Sequence, residues 1–289
     1  MAHKKDRHIM EALGKTRVVV EEGKVVEVGD PRTEYCPIFD KVRGIKKFTP
    51  ETAKENVEFR IKDFGMFTEN RELEMEMFVG FGASETFMTA LRQRLIDASV
   101  TVCEGAGTVI TNNPKLTQGM GSRVSGIMET SPIPKLIKRI EEAGGIVLDP
   151  KTAIIDQQSG VRKAIELGYK KIGVTVLKTK DAQKCRKIEK EHNAEVILFG
   201  VHTTSMEKEE AKQFVELVDM TAGCISKWVR KYVEGKVIAQ FGTAIPIFAI
   251  TQRGKKLLLR RAEEISAPIL LNTVKLPVQP EKLQPRPLV

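Results

Sequence analysis

Cys103 and Glu104 close a β-branched run, SVTVCEGAG, and two small-residue joints, Gly105 and Gly107, follow them. A thiol beside a carboxylate at the end of a buried strand has three readings. It can be a nucleophile with its base, a metal ligand, or a turn that happens to carry a cysteine. Other reactive groups recur in similar places: His202 with Thr203 and Thr204 in GVHTTS, Asp156 and Gln157 in IIDQQSG, and Cys224 and Ser226 in AGCIS. Singly, each has an ordinary structural role. A cysteine packs as a small hydrophobe, an aspartate before a helix caps it, and a histidine hydrogen-bonds. Convergence gives them weight, because each falls just after an apolar run.

Those runs are the elements that must position the groups. Strands are predicted at 99–104, 144–149, 171–176, 195–200, 218–223, 236–241 and 245–250, with amphipathic helices between most of them. The strands are apolar throughout, as when helices cover both faces of a sheet. The alternation predicts an α/β fold with a mainly parallel, Rossmann-like sheet covered by helices. Ligands bind beyond the carboxyl ends of such strands. The expected catalytic set is therefore Cys103, Glu104, His202 and Asp156. Cys103 would be nucleophile or metal ligand, and His202 or Glu104 the base. Its position at a strand-to-loop junction would favour the thiolate. A turn beginning at Glu104 would swing thiol and carboxylate into one cleft with His202 and Asp156. Cys103 and Cys224, with Cys36, form a third option as metal or iron–sulfur ligands.

The segment ITNNPKLTQGMGSRVSGIMETSP reads as a long polar loop whose Gly119, Gly121 and Gly126 expose amides around Arg123. Such turns hold anions. It matches neither a phosphate-binding loop with its lysine nor a dinucleotide fingerprint, since Val124 stands where a third glycine is needed. Expected ligand-binding residues are Gly105, Gly107, Asn112, Gly119, Gly121, Arg123, Gln157, Thr203, Thr204 and Ser226. The cofactor is left open. Cys185, inside the charged helix AQKCRKIE, reads as packing.

Before residue 96 the rhythm differs. TRVVVEEGKVVEVG alternates about EEGK as a β-hairpin, and helices are expected from Thr49-Pro50 and from Ala83 or Ser84. The division is an N-terminal hairpin and helical layer at 1–95, an α/β domain at 96–266 and an extended Pro-rich tail at 267–289. The tail would lie on another surface or subunit, which is compatible with a homo-oligomer.

The chain has 289 residues, a net charge of +9 and 6% aromatic residues. Lysines alternate with glutamates, and no basic run carries spaced aromatics, so nucleic acid is a poor fit. An acidic partner or an anionic small ligand uses the charge equally well. The lysine- and glutamate-rich surface is weakly thermophilic in style. No apolar run approaches the ~20 residues of a membrane span. MAHKKDRHIM has no apolar core of a secretory signal, so a cytoplasmic protein is expected.

The stretches CEGAGTVITNNPKLTQGMGSRVSGIMETSPI, GGIVLDPKTAIIDQQSGVRKAIELGYKKIGVTV and GVHTT resemble the methanogenesis marker protein 8 family, over about residues 10–265. The resemblance implies a cytoplasmic archaeal protein of methane-forming metabolism. Its partners would be methyl-coenzyme M reductase or the proteins that mature it. It assigns no reaction. The expected function is an accessory or maturation factor, and the alternative is a thiol-dependent enzyme acting on a methanogenic cofactor or protein.

Overall fold

The computed structural model describes residues 6–75, 77 and 79–289. The leading MAHKK, on which the reading against a secretory signal partly rests, lies outside the described residues. β1 (Arg7–Glu11), β2 (Arg17–Glu21) and β3 (Lys24–Val28) form an antiparallel meander. The expected hairpin is β2–β3. Its turn residues, Glu22 and Gly23, have φ of 47° and 71°, the pair of positive angles that matches strand twist.

α1 (Pro37–Arg43) and α2 (Pro50–Phe64) follow. α2 starts where the sequence places it. The Thr49 hydroxyl accepts from the Thr52 amide, and the Thr52 hydroxyl accepts from the Thr49 amide. Its buried stripe is Ala53, Asn56, Val57, Arg60 and Phe64. That stripe contains two polar residues at core positions. α3 (Ala83–Arg92) then packs against the second sheet.

The second sheet begins with β4 (Ala98–Cys103), which turns back through Glu104–Ala106 into β5 (Gly107–Thr111). Gly105 and Gly107 make the turn with φ of 79° and 72°. α4 (Pro114–Gly121) and β6 (Gly126–Glu129) come next, then α5 (Pro134–Glu142) and β7 (Gly145–Val147). Three strand–helix steps follow: α6 (Gln157–Glu166) with β8 (Lys171–Val176), α7 (Thr179–His192) with β9 (Glu195–Gly200), and α8 (Lys208–Leu217) with β10 (Met220–Ala222). α9 (Lys227–Tyr232), β11 (Ala239–Phe241), β12 (Ile247–Ala249) and α10 (Gln252–Glu263) complete the order.

The fold is mixed α/β, not the mainly parallel sheet expected. The eight strands run β11-β12-β10-β9-β8-β4-β5-β7. Only the centre, β4-β8-β9-β10, is parallel; the other four pairings are antiparallel. The reason is loop length. A parallel crossover needs a dozen or more residues, and the links after β4 and β11 are far shorter, so those strands must return antiparallel.

A second correction concerns 112–126. It is no open loop: Asn113 caps α4 by accepting from the amides of Lys115 and Leu116, and β6 begins at Gly126. β6 pairs with β1, so a segment from mid-chain completes the small sheet β3-β2-β1-β6. The tail folds back on this chain. Arg286 bridges to Tyr35, and Val289 exchanges backbone hydrogen bonds with Ile225 and Lys227. Among the described residues no helix is long and apolar enough to cross a membrane.

Candidate functional site

A cavity of about 750 Å³ lies where the carboxyl ends of β4, β8, β9 and β10 face the small sheet, α1 and α2. This is the size of a site for a small organic ligand, at the sheet edge where open α/β folds bind ligands. Thr101, Thr175, Leu177, Val201 and His202 come from the large sheet's strand ends. Leu13 and Lys15 come from the turn between β1 and β2, Gly126 and Ile127 from β6, and Phe39, Asn56, Phe59 and Arg60 from the helices. Most of the wall is apolar.

Its polar part centres on Arg60, which is only 7% exposed. Nη1 donates to Ser125 Oγ at 2.9 Å, and no carboxylate among the described residues forms an ion pair with the guanidinium. Burial pulls its pKa down to about 10; Arg43, Arg123 and Arg71 push the same way, against Glu104. It therefore stays charged at neutral pH, at a cost that an anion would offset. Arg43 lies 3.5 Å over the Phe59 ring, and Arg123 pairs with Asp63 at 2.9 Å. Asn56 Oδ1 and Thr101 Oγ1 are buried without a hydrogen-bond partner among the described residues, and both residues line the cavity.

A second polar group sits on the wall. His202 Nε2 lies 2.7 Å from Glu11 Oε2, joining the end of β9 to β1. Burial opposes the Glu11 charge, but the His202 contact, with Lys15 and Arg32, holds its carboxyl below the usual range. Lys15, Arg123, His202 and Cys224 all line the cavity with positive φ, between 40° and 66°. Left-handed backbone at non-glycine residues is costly and gathers at functional sites.

The predicted residues divide. His202, Gln157, Thr204, Gly121, Arg123 and Cys224 reach the cavity; Cys103, Glu104 and Asp156 do not line it. Cys103 packs among Leu73, Val109 and Leu136, and burial, with the neighbouring Glu104 charge, pushes its thiol well above the ordinary value. The expected thiolate is thus reversed. Glu104 is the ion-pair partner of Arg71 in the core, at 2.5 Å. Asp156 caps α6 through the Ser159 amide.

Most of the remaining candidates make contacts that serve the fold. Gly105 donates to Thr130 Oγ1, and Gly107 passes so close to Ala153 that a Cβ would lie 2.2 Å from its carbonyl oxygen. Gly119 is inside α4 against Leu73, and Asn112 is exposed. Thr203 donates to the Ala222 carbonyl, and Ser226 caps α9. Gln157, though at the cavity, is a strut that accepts from Thr108 and donates to the Thr175 carbonyl. Among the described residues, no group of three or more His, Cys, Asp or Glu could hold a metal ion.

A family described as "Uncharacterized protein conserved in archaea (DUF2099)" matches residues 8–263. The chain belongs to that family. It is also similar to an uncharacterised protein of Methanocaldococcus jannaschii, 51% identical over 285 residues, which cover 98% of this chain and 100% of the relative. The family match takes in every cavity residue named above.

Glu11, Asn56, Arg60 and Ser125 escaped the reading of the sequence. For two of them a signal was present. In PETAKENVEFRIKDF, Asn56 and Arg60 occupy the spacing of the buried stripe, where an unpaired polar side chain calls for an explanation. Nothing local marks Glu11, whose partner is 191 positions away.

Proposed function

We propose that this protein is an accessory factor of archaeal methanogenesis that binds an anionic, partly apolar small molecule in the cavity at the strand ends. Arg60 carries the reading: a buried guanidinium on a mostly apolar wall, bonded to a serine hydroxyl and in no ion pair with a carboxylate among the described residues. Such a charge binds carboxylate, sulfonate or phosphate strongly, because water does not compete fully. The flanking Asn56 and Thr101 offer further polar contacts; turning the Asn56 amide over presents a donor in place of an acceptor. The methanogenic assignment rests on the resemblance of CEGAGTVITNN and GVHTT to marker protein 8. It makes methyl-coenzyme M reductase, or its maturation proteins, the partner, and the net charge of +9 suits an acidic one.

The test uses anilinonaphthalene sulfonate, an anion with an apolar body that fluoresces when desolvated. The wild-type chain should bind it, and Arg60→Met should weaken binding by about 10- to 100-fold, the loss of one charged hydrogen bond. Equal binding by Arg60→Met would refute the ligand assignment. Sedimentation of the protein with purified methyl-coenzyme M reductase tests the partner, and absence of a complex would remove it.

A further inference from the structure

The Glu11–His202 contact fixes more than a ring position. Glu11 is held as a carboxylate, so it can only accept, and the proton between the pair belongs to His202 Nε2. In the tautomer that carries its hydrogen on Nε2, the lone pair is at Nδ1. That atom bonds to no described residue and is not among the sealed, partnerless atoms of the interior. His202 lines the cavity.

The surroundings are built around the ring. Gly126 on β6 leaves the room it occupies: a Cβ there would lie 2.4 Å from His202 Cδ2. His202 itself holds φ of 55°. Lys15 lies 4.0 Å from the same Glu11 oxygen and donates to the Thr204 carbonyl, so the carboxylate is steadied from a second side. Arg32 contributes to the charge facing Glu11.

We propose that Glu11 and His202 form a proton-accepting dyad, in which Nδ1 of His202 takes the proton of a hydroxyl or thiol on an organic anion whose charged end is held by Arg60. The inference rests on the anion reading of the cavity. In the step, the O–H or S–H bond breaks and its electron pair stays on the oxygen or sulfur. A new N–H bond forms at Nδ1, and the Glu11 carboxylate faces the resulting imidazolium. No oxidant or reductant is required. His202 is the proton acceptor; Glu11 is a positioning residue that selects the tautomer.

A hydroxynitrobenzoate tests this, because it carries a carboxylate and a phenol whose ionised form is coloured. The full-length protein is titrated with it at a pH where the free probe is mostly phenol. Wild-type protein should bind it as phenolate. His202→Gln should bind it with about tenfold less phenolate relative to phenol, the size of effect one neighbouring base exerts. Glu11→Gln should fall in the same direction, and Glu11→Asp should restore the colour. Nitrogen NMR of histidine-labelled protein should show the hydrogen on Nε2 of His202.

Identical bound spectra in wild type and His202→Gln, or a hydrogen on Nδ1, would overturn the dyad while leaving the anion site standing. Binding that ignores Arg60→Met overturns the anion reading itself, and this proposal with it.

Discussion

Arg71 Nε and Glu104 Oε1 meet at 2.5 Å with both side chains fully buried, 33 positions apart in sequence. Arg71 gives its other donors to the carbonyls of Glu72, Gly119, Met120 and Ser122. Glu104 is thus the counter-ion of a core arginine that ties the end of α4 to the β4–β5 turn. Removing one partner strands the other charge. Glu104→Gln should lose about 3–5 kcal/mol in denaturant unfolding, yet bind anilinonaphthalene sulfonate normally wherever it remains folded. Unchanged stability would mean that Glu104 is not structural.

Thiol reactivity should follow the cavity rather than the sequence motif. Cys224 is half-buried on the cavity wall, whereas Cys103 and Cys185 are enclosed. Burial pushes the Cys185 thiol up to about 12 and Cys103 well above its usual range. Mass spectrometry after timed alkylation should find Cys224 first, and Cys103 and Cys185 only on unfolding. Native labelling of Cys103 at the Cys224 rate would contradict this placement.

Two glycines separate close approach from backbone freedom. At Gly119 a Cβ would lie 1.8 Å from the Leu73 carbonyl oxygen, while at Gly144, with φ of 83°, it would touch nothing within 4 Å. Gly119→Ala should cost about 3 kcal/mol or more through overpacking. Gly144→Ala should cost about 1–2 kcal/mol from left-handed strain alone. Denaturation midpoints of the two variants give the comparison, and equal losses would contradict it.

The acid limb of stability should carry a signature of His8. Burial lowers its pKa from 6.5, although the Asp6 charge and hydrogen bond oppose this. The folded state then binds fewer protons than the unfolded chain between the lowered value and 6.5, so stability rises with pH there. The contribution is complete above 6.5 and is lost as pH falls through that window. His8→Gln should flatten the fall in unfolding free energy just below 6.5 without altering any fall near 4.5, where Glu11 titrates when unfolded. An unchanged slope would exclude His8.

Much of the local structure was written in short patterns. Thr49-Pro50 opens α2, EEGK turns the β2–β3 hairpin, and the all-apolar runs mark the four parallel strands. The strand-end rule also led to His202, Thr204 and Cys224, which share the cavity. Strand direction was less legible. CEGAG and FGTAIP are too short for crossovers, yet their apolar flanks resemble those of parallel strands. Least legible were pairings between distant segments. Glu104 looks reactive until Arg71 is seen against it, and Glu11 looks like a strand-end acid until His202 arrives beside it.

The cavity draws its wall from Ala12 through to Ile245. A growing chain on the ribosome cannot enclose it until nearly the whole sequence has emerged, because β10 and its Cys224 turn are made late. The two sheets must also meet before Glu11 finds His202, a contact of high sequence separation that forms slowly. A ligand of the kind proposed would therefore enter only after synthesis, and its cellular supply, rather than translation, would set how much of the protein is occupied.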